Sequence, residues 1–226
     1  DVDAGLLSES GEAAVLRALA RAVRAVEHDK STAQFLQPGC VAFGHAPEDN
    51  AKTRAAPAGR ALVVGYDLAM AADDYLEPYR QGAVRHGTDF RVTLWANQRS
   101  QQLRFKVMAR MFDFTGKRVL DAGCSRGDFA AYLIEQGVAF ERFIGVDGLP
   151  EVIDFANSRG LANCAFHAGD FVRDPGLLRI EDPHIIAISG SLNTMTESQA
   201  LTVLDAAWQA CGEALMFNFL SDRCGP

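Results

Sequence analysis

Three aspartates, Asp121, Asp147 and Asp170, each stand at the end of a short apolar run, and the first is followed by two glycines in "RVLDAGCSRGDFAAYL". Gly123 and Gly127 lack a Cβ, so backbone there can turn tightly and approach a ligand. A carboxylate placed before such a turn attracts a cation and repels a pyrophosphate. A carboxylate after the next run, twenty positions beyond Gly127, suits the two hydroxyls of a ribose, which it can accept from. Asp170, with Phe171 beside it, can accept from an exocyclic amine while the aromatic flanks a base. Standing alone, each of these residues could equally be a strand-end turn former or a helix cap.

The elements needed to position them are visible around them. From residue 115 onward, apolar runs alternate with helical patterns: "RVLDAG", a helix over 127–137, "RFIGVD", a helix over 150–158, "CAFHAGDF", "HIIAIS", a helix over 196–211 and "ALMFNFLS". Such alternation predicts βαβ units, and so a doubly wound α/β core whose mostly parallel sheet carries helices on both faces. Thr196 and Gln199 form a capping box at the start of the last helix. Ligands bind open parallel sheets beyond the carboxyl ends of the strands. Those ends carry Asp121-Ala122-Gly123, Asp147-Gly148-Leu149, Gly169-Asp170-Phe171 and Ser189-Gly190-Ser191.

Residues 1–97 read as a helical and mixed extension, and 98–226 as the core. In the extension, 5–28 has helical periodicity, "CVAFGHA" and "RALVVGYDL" look like short strands, and residues 47–59 between them are rich in turn formers. A helix is expected from Ala69 to about Tyr79, ended by Pro78, and another from Gln98 to Phe112, with Leu103, Val107 and Met111 as its apolar repeat.

Composition narrows the class. The 226 residues carry a formal net charge of -7, with 48% hydrophobic and 23% charged residues, which is ordinary for a globular chain. No Lys/Arg run makes a track for phosphates, so nucleic acid is not the expected partner. No apolar run reaches the roughly 20 residues of a spanning helix, so no membrane role is expected. The five cysteines are odd in number and contain no CxxC, which suggests neither a disulfide framework nor a metal site and fits a reducing cytoplasm.

Together these motifs resemble the class I S-adenosylmethionine-dependent methyltransferases. "VLDAGCSRGDFAAYL" is similar to the family's first motif, (D/E)xGxGxG, with Ser125 in place of the middle glycine. "FIGVDGLPEVIDFA" resembles its acidic second-strand motif, "FHAGDFV" its adenine-contact motif, and "IIAISGSLNTM" the segment facing the transferred methyl. The resemblance covers roughly 98–222. It implies that Asp121 faces the methionine ammonium, and that backbone from Ala122 through Gly123, Cys124 and Ser125 to Gly127 lies along the cofactor. Asp147 would bind the ribose, Gly148 and Leu149 would flank the adenine, Asp170 would accept from its amine and Phe171 would offer a backbone N–H. Carbonyls near Ser189 and Gly190 would meet the ammonium, and Asn193 would face the acceptor.

The resemblance also implies a small-molecule acceptor with an O or N nucleophile, S-adenosylhomocysteine as product and no metal. The antiparallel strands with which this family completes its sheet have no counterpart after "ALMFNFLS", which points to truncation, disorder or an unusual edge supplied by a partner, the first two preferred. His86 is a candidate base under an N-terminal lid, or a surface histidine. Arg104 could pair with the cofactor carboxylate or solvate a helix face, and Trp95 could line the acceptor pocket or pack as core. Two rivals remain: a protein that binds the cofactor without transferring methyl, and a nicotinamide-dependent oxidoreductase. The second is disfavoured because two of the three glycines of GxGxxG are replaced, by Ser125 and Asp128.

Overall fold

The computed structural model describes residues 41–45 and 74–218. The expected helix over 5–28, the strand "RALVVGYDL" and the loop before it, and the end of "ALMFNFLS" lie outside the described residues. Six strands form one sheet: β1 (Val41–His45), β2 (Arg118–Ala122), β3 (Arg142–Asp147), β4 (Cys164–Ala168), β5 (Ile185–Ser189) and β6 (Ala214–Asn218). Their spatial order is β1-β6-β5-β2-β3-β4. All neighbours are parallel except β1, which runs antiparallel to β6 with Val41 opposite Asn218 and His45 opposite Ala214. The sheet therefore has an antiparallel edge beside β6, supplied by a strand that precedes the core in sequence. Capping the row of free N–H and C=O groups depends on spatial adjacency, not chain order.

Five helices complete the described residues: α1 (Glu77–His86), α2 (Gln98–Met111), α3 (Asp128–Glu135), α4 (Pro150–Ser158) and α5 (Glu197–Ala210). Period-two alternation sends successive strand residues to opposite faces. Leu120, Ala122, Ile144, Val146, Ile186 and Ile188 meet α5 residues such as Val203, Leu204 and Ala207 on one face. Val119, Phe143, Ile185, Ala187 and Met216 meet α2, α3 and α4 on the other. The expected doubly wound core with helices on both faces is present. The capping box at α5 forms as its sequence predicts, with Gln199 N donating to Thr196 Oγ1 at 3.1 Å and Thr196 N donating to Gln199 Oε1 at 2.9 Å.

Two helical expectations are corrected. Pro78 does not end a helix; it lies in the first turn of α1, where its missing N–H would have had no partner in any case. The four-residue repeat of α2 is not its core face either. Leu103 and Met111 are exposed, while Gln101, Arg104, Phe105 and Met108 are buried. Two polar residues on the inward face hid the true stripe, because a cavity, not only a core, lies beneath it.

Phe129 of α3 anchors the α2/α3 face, with ring centroids 5.0 Å from Phe105, 6.3 Å from Phe114 and 6.0 Å from Phe143. Phe129→Ala should lower the free energy of unfolding by about 3–5 kcal/mol, the range for truncating a fully buried aromatic. Urea titration followed by circular dichroism would measure it.

Candidate functional site

Strand order reverses between β2 and β5: the chain steps from β2 to β3 and β4 in one direction, then to β5 and β6 in the other. A cavity of about 560 Å³ lies at that switch point, within the usual range for a site holding a small ligand. Its floor is Asp121, Gly123, Cys124 and Ser125 after β2, Asp147, Gly148 and Leu149 after β3, and Ser189 to Ser191 after β5. Its roof comes from residues 75–105, including Tyr75, Tyr79, Trp95 and Arg104.

The roof is seated by close approaches at glycines. A Cβ on Gly148 would meet Leu76 Cδ1 at 2.6 Å, and one on Gly190 would meet Trp95 Cζ2 at 3.0 Å. The Trp95 ring in turn carries the Arg104 guanidinium 4.6 Å from its centroid, a cation–π contact. Asn97 caps α2, its side chain accepting from Ser100 N at 2.8 Å, and so fixes where the helix starts. Trp95 thus serves as a cavity wall.

Each expected site residue has a definite place. Asp121 is 3% exposed, and its Oδ1 is buried without a hydrogen-bond partner among the described residues. Burial, reinforced by Asp147 and Asp128, pushes its carboxyl up to about 8. Asp147 bridges two loops, with Oδ2 accepting from Ser125 N at 2.9 Å and Oδ1 from Leu149 N at 3.0 Å. Burial raises it to about 6 against the pull of those two bonds. Ser125, where the resembled motif has glycine, adopts φ 45°, a left-handed conformation that disfavours a side chain by about 1–2 kcal/mol; its bond to Asp147 holds it there.

Gly123 has φ 83°, and a Cβ on it would lie 1.7 Å from Ser191 Oγ. Gly127, with φ 71°, is the N-cap of α3 and packs against Phe166. Ala122 is fully buried. Neither Gly127 nor Ala122 lines the cavity. Leu149, Phe171, Ser189, Gly190, Asn193 and Arg104 do.

Asp170 does not line the cavity. Its Oδ1 accepts from Tyr75 Oη at 2.8 Å, Val172 N at 3.0 Å and Arg173 N at 3.2 Å, so it fastens the roof and its own turn. His86, the last residue of α1, is also absent from the cavity wall. The sequence reading passed over Tyr75, Tyr79, Gln101, Asp128 and Ser191. Gln101 had a usable signal, three residues before Arg104 and hence on the same helical face; Tyr75 and Tyr79 had none, because only the folded chain brings them over β3 and β5. Among the described residues no group of three or more His, Cys, Asp or Glu could hold a metal ion, and no helix is long and apolar enough to cross a membrane.

Residues 113–205 match the sequence pattern of a methyltransferase domain. That match is to a methyltransferase domain and covers less than half of the chain. The matched residues run from β2 into α5 and so contain the whole cavity floor. The chain is also similar to DhpI, solved with SAM and HEP, at 18% identity over 66% of this chain and 67% of that one, TM-score 0.49. A second similar structure is the phosphoethanolamine N-methyltransferase 1 of Haemonchus contortus with phosphoethanolamine and S-adenosylhomocysteine, at 15% identity over 63% of this chain and 31% of that one, TM-score 0.49. A third is a SAM-dependent methyltransferase from Archaeoglobus fulgidus, at 21% identity over 51% and 48%, TM-score 0.41. No curated protein matches the chain.

An acid whose folded pKa is raised destabilises the folded state as pH climbs above its unfolded value of 3.8. Over that window the native state holds a proton that the unfolded state has lost, so stability falls by up to about 1.4 kcal/mol per pH unit until the folded pKa is passed. Asp121→Asn should therefore flatten the decline in the thermal midpoint of the ligand-free protein between pH 6 and 8.5, and raise the midpoint at pH 8.5. Calorimetric scans across that range would check it.

Proposed function

We propose that this methyltransferase moves a methyl group from S-adenosylmethionine to an oxygen or nitrogen of a small-molecule acceptor, with residues 74–97 as cover and acceptor surface. The observation that carries the reading is the cavity at the switch point, floored by bare glycine backbone and by an Asp121 carboxylate whose Oδ1 has no protein partner. An orphaned buried acceptor is costly unless a ligand donates to it, and a cationic ammonium supplies both donor and charge. The donor set therefore fits the cofactor. Bound S-adenosylmethionine supplies a methyl already activated on a positive sulfur.

The chain supplies alignment and enclosure. Asp147, held by two backbone donors, keeps further lone pairs for the ribose hydroxyls. Phe171 and Leu149 would present backbone and apolar surface to the base, and Arg104, stacked on Trp95, would pair with the carboxylate. Asn193 and Tyr79 border the space beyond Gly190, where the acceptor would sit. The roofed, limited cavity favours a small acceptor over a macromolecule. The described cysteines Cys124, Cys164 and Cys211 are free thiols, which suits a reducing, cytoplasmic setting.

A second reading, a cofactor-binding protein without transfer, draws on one observation: among the described residues no histidine, lysine or glutamate lines the cavity. Acceptors that lose their proton readily need no such base, so transfer is preferred. Calorimetric titration with S-adenosylhomocysteine, followed by a labelled-methyl screen over small alcohols, phenols and amines, separates the readings. Binding with transfer to one class supports the proposal, binding with no transfer supports the alternative, and no binding defeats both. Asp147→Ala should weaken binding of the product about 100-fold, the loss of two hydrogen bonds to a charged acceptor.

A further inference from the structure

The outer side of α2 carries a surface unlike the rest of the chain. Leu103 and Met111 are 45% and 41% exposed, and Val107 lies half-buried between them, so an apolar stripe at i, i+4 and i+8 runs along the helix. Arg99, Lys106 and Arg110 are exposed beside it, each three or four residues from a member of the stripe. α2 contains no Asp or Glu, and none of these three cations forms an ion pair among the described residues. Exposed helical cations are commonly matched by carboxylates three or four residues away. Here the whole face is left basic and apolar, on a chain whose formal net charge is -7. A group that covers it must be acidic and apolar together.

Residues 1–16, which lie outside the described residues, have that composition. They read "DVDAGLLSESGEAAVL", with carboxylates at Asp1, Asp3, Glu9 and Glu12, large aliphatic side chains at Leu6, Leu7, Val15 and Leu16, and no Lys or Arg. The tether leads to the right place. Val41, the first described residue, pairs with Asn218, whose Nδ2 donates to Met108 Sδ of α2 at 3.5 Å. From there residues 17–40, fully extended, reach up to about 80 Å, whereas α2 is only about 21 Å long.

We infer that residues 1–16 dock on the outer face of α2, their carboxylates against Arg99, Lys106 and Arg110 and their aliphatic side chains over Leu103, Val107 and Met111. The contact is intramolecular, so the tether sets its effective concentration and individually weak pairs suffice. An anionic membrane would also meet the three cations, but it repels the net negative chain as a whole. Docking holds from outside the helix whose inner side roofs the cavity through Arg104, and it does so whichever cofactor or acceptor the cavity takes.

Hydrogen–deuterium exchange of the full chain, read by mass spectrometry at two concentrations about tenfold apart, tests the contact. Amides of residues 1–16 should exchange about 10-fold more slowly than in a free peptide of the same sequence, the effect of three exposed ion pairs acting together, and equally at both concentrations. Arg99→Glu/Lys106→Glu/Arg110→Glu should abolish that protection, Glu9→Lys/Glu12→Lys should do the same, and the two sets combined should restore it. Thermal midpoints report folding, and if the α2 variant does not fold, Glu9→Lys/Glu12→Lys carries the comparison. Unprotected amides in the wild-type chain, protection that survives either reversal, or reversals that fail to rescue one another would overturn the inference. Protection that grows with concentration would overturn it in favour of a second copy, and sedimentation with phosphatidylserine vesicles that is lost in the α2 variant would overturn it in favour of a membrane surface.

Discussion

The Asp147 carboxylate ties together the loops after β2 and β3, one oxygen to Ser125 N and the other to Leu149 N, and the shape of the site depends on that bridge. Without it, Ser125 at φ 45° would lose the bond to its N–H, and the chain from Gly123 to Gly127 would be free to take a less strained path. The bridge also brings its charge near Asp121, which is already desolvated. Two carboxylates that would repel each other if both ionised are thereby kept in one dry pocket, and no cation among the described residues bonds to the orphaned oxygen of Asp121. The compensation has to arrive with a ligand.

The roof answers to the same constraint. Leu76 rests on Gly148 and Trp95 on Gly190, so residues following β3 and β5 locate two separate points of the segment from 74 to 97. Tyr75 adds a third, through its hydroxyl to Asp170. Burial and that carboxylate raise the Tyr75 phenol far above its ordinary value, so it stays protonated and the bond persists across the physiological range. A carboxylate expected to meet the adenine therefore serves as a fastening for the cover, and enclosure of the cavity is coupled to the same strand ends that floor it.

Much of this was legible in the sequence because its cause is local. Short apolar runs between helical patterns marked β2, β3 and β5, the Thr196/Gln199 pair marked the start of α5, and the placement of aspartates after successive strands marked the cavity floor. What was not legible depends on tertiary neighbours. The antiparallel pairing of β1 with β6 joins residues far apart in the chain. The inward face of α2 carries Gln101 and Arg104 because it roofs a polar cavity, so an apolar repeat pointed to the wrong side of the helix. The His184 Nδ1 accepts from Arg118 N at 2.9 Å, a contact between residues far apart in sequence. Asp170 followed the right strand, yet adjacency in sequence does not decide which way a side chain turns once Tyr75 competes for it.

The glycines of the first loop show how one residue answers to protein and ligand together. Gly123 faces Ser191 and Gly127 faces Phe166, each closer than a Cβ allows, so both are required by packing even before any cofactor binds. Removing the Cβ atoms lets the loop after β2 press against the segment after β5 and against β4, and the hollow left above the loop is the cavity. The space therefore has its form in the absence of ligand, and binding need not supply the free energy of ordering the floor. What remains for the ligand is electrostatic: a cation for Asp121, donors for Asp147 and an acceptor for the α2 face. Shape comes from the glycines and selectivity from the aspartates, which is why neither set alone would have distinguished this cofactor from other nucleotides.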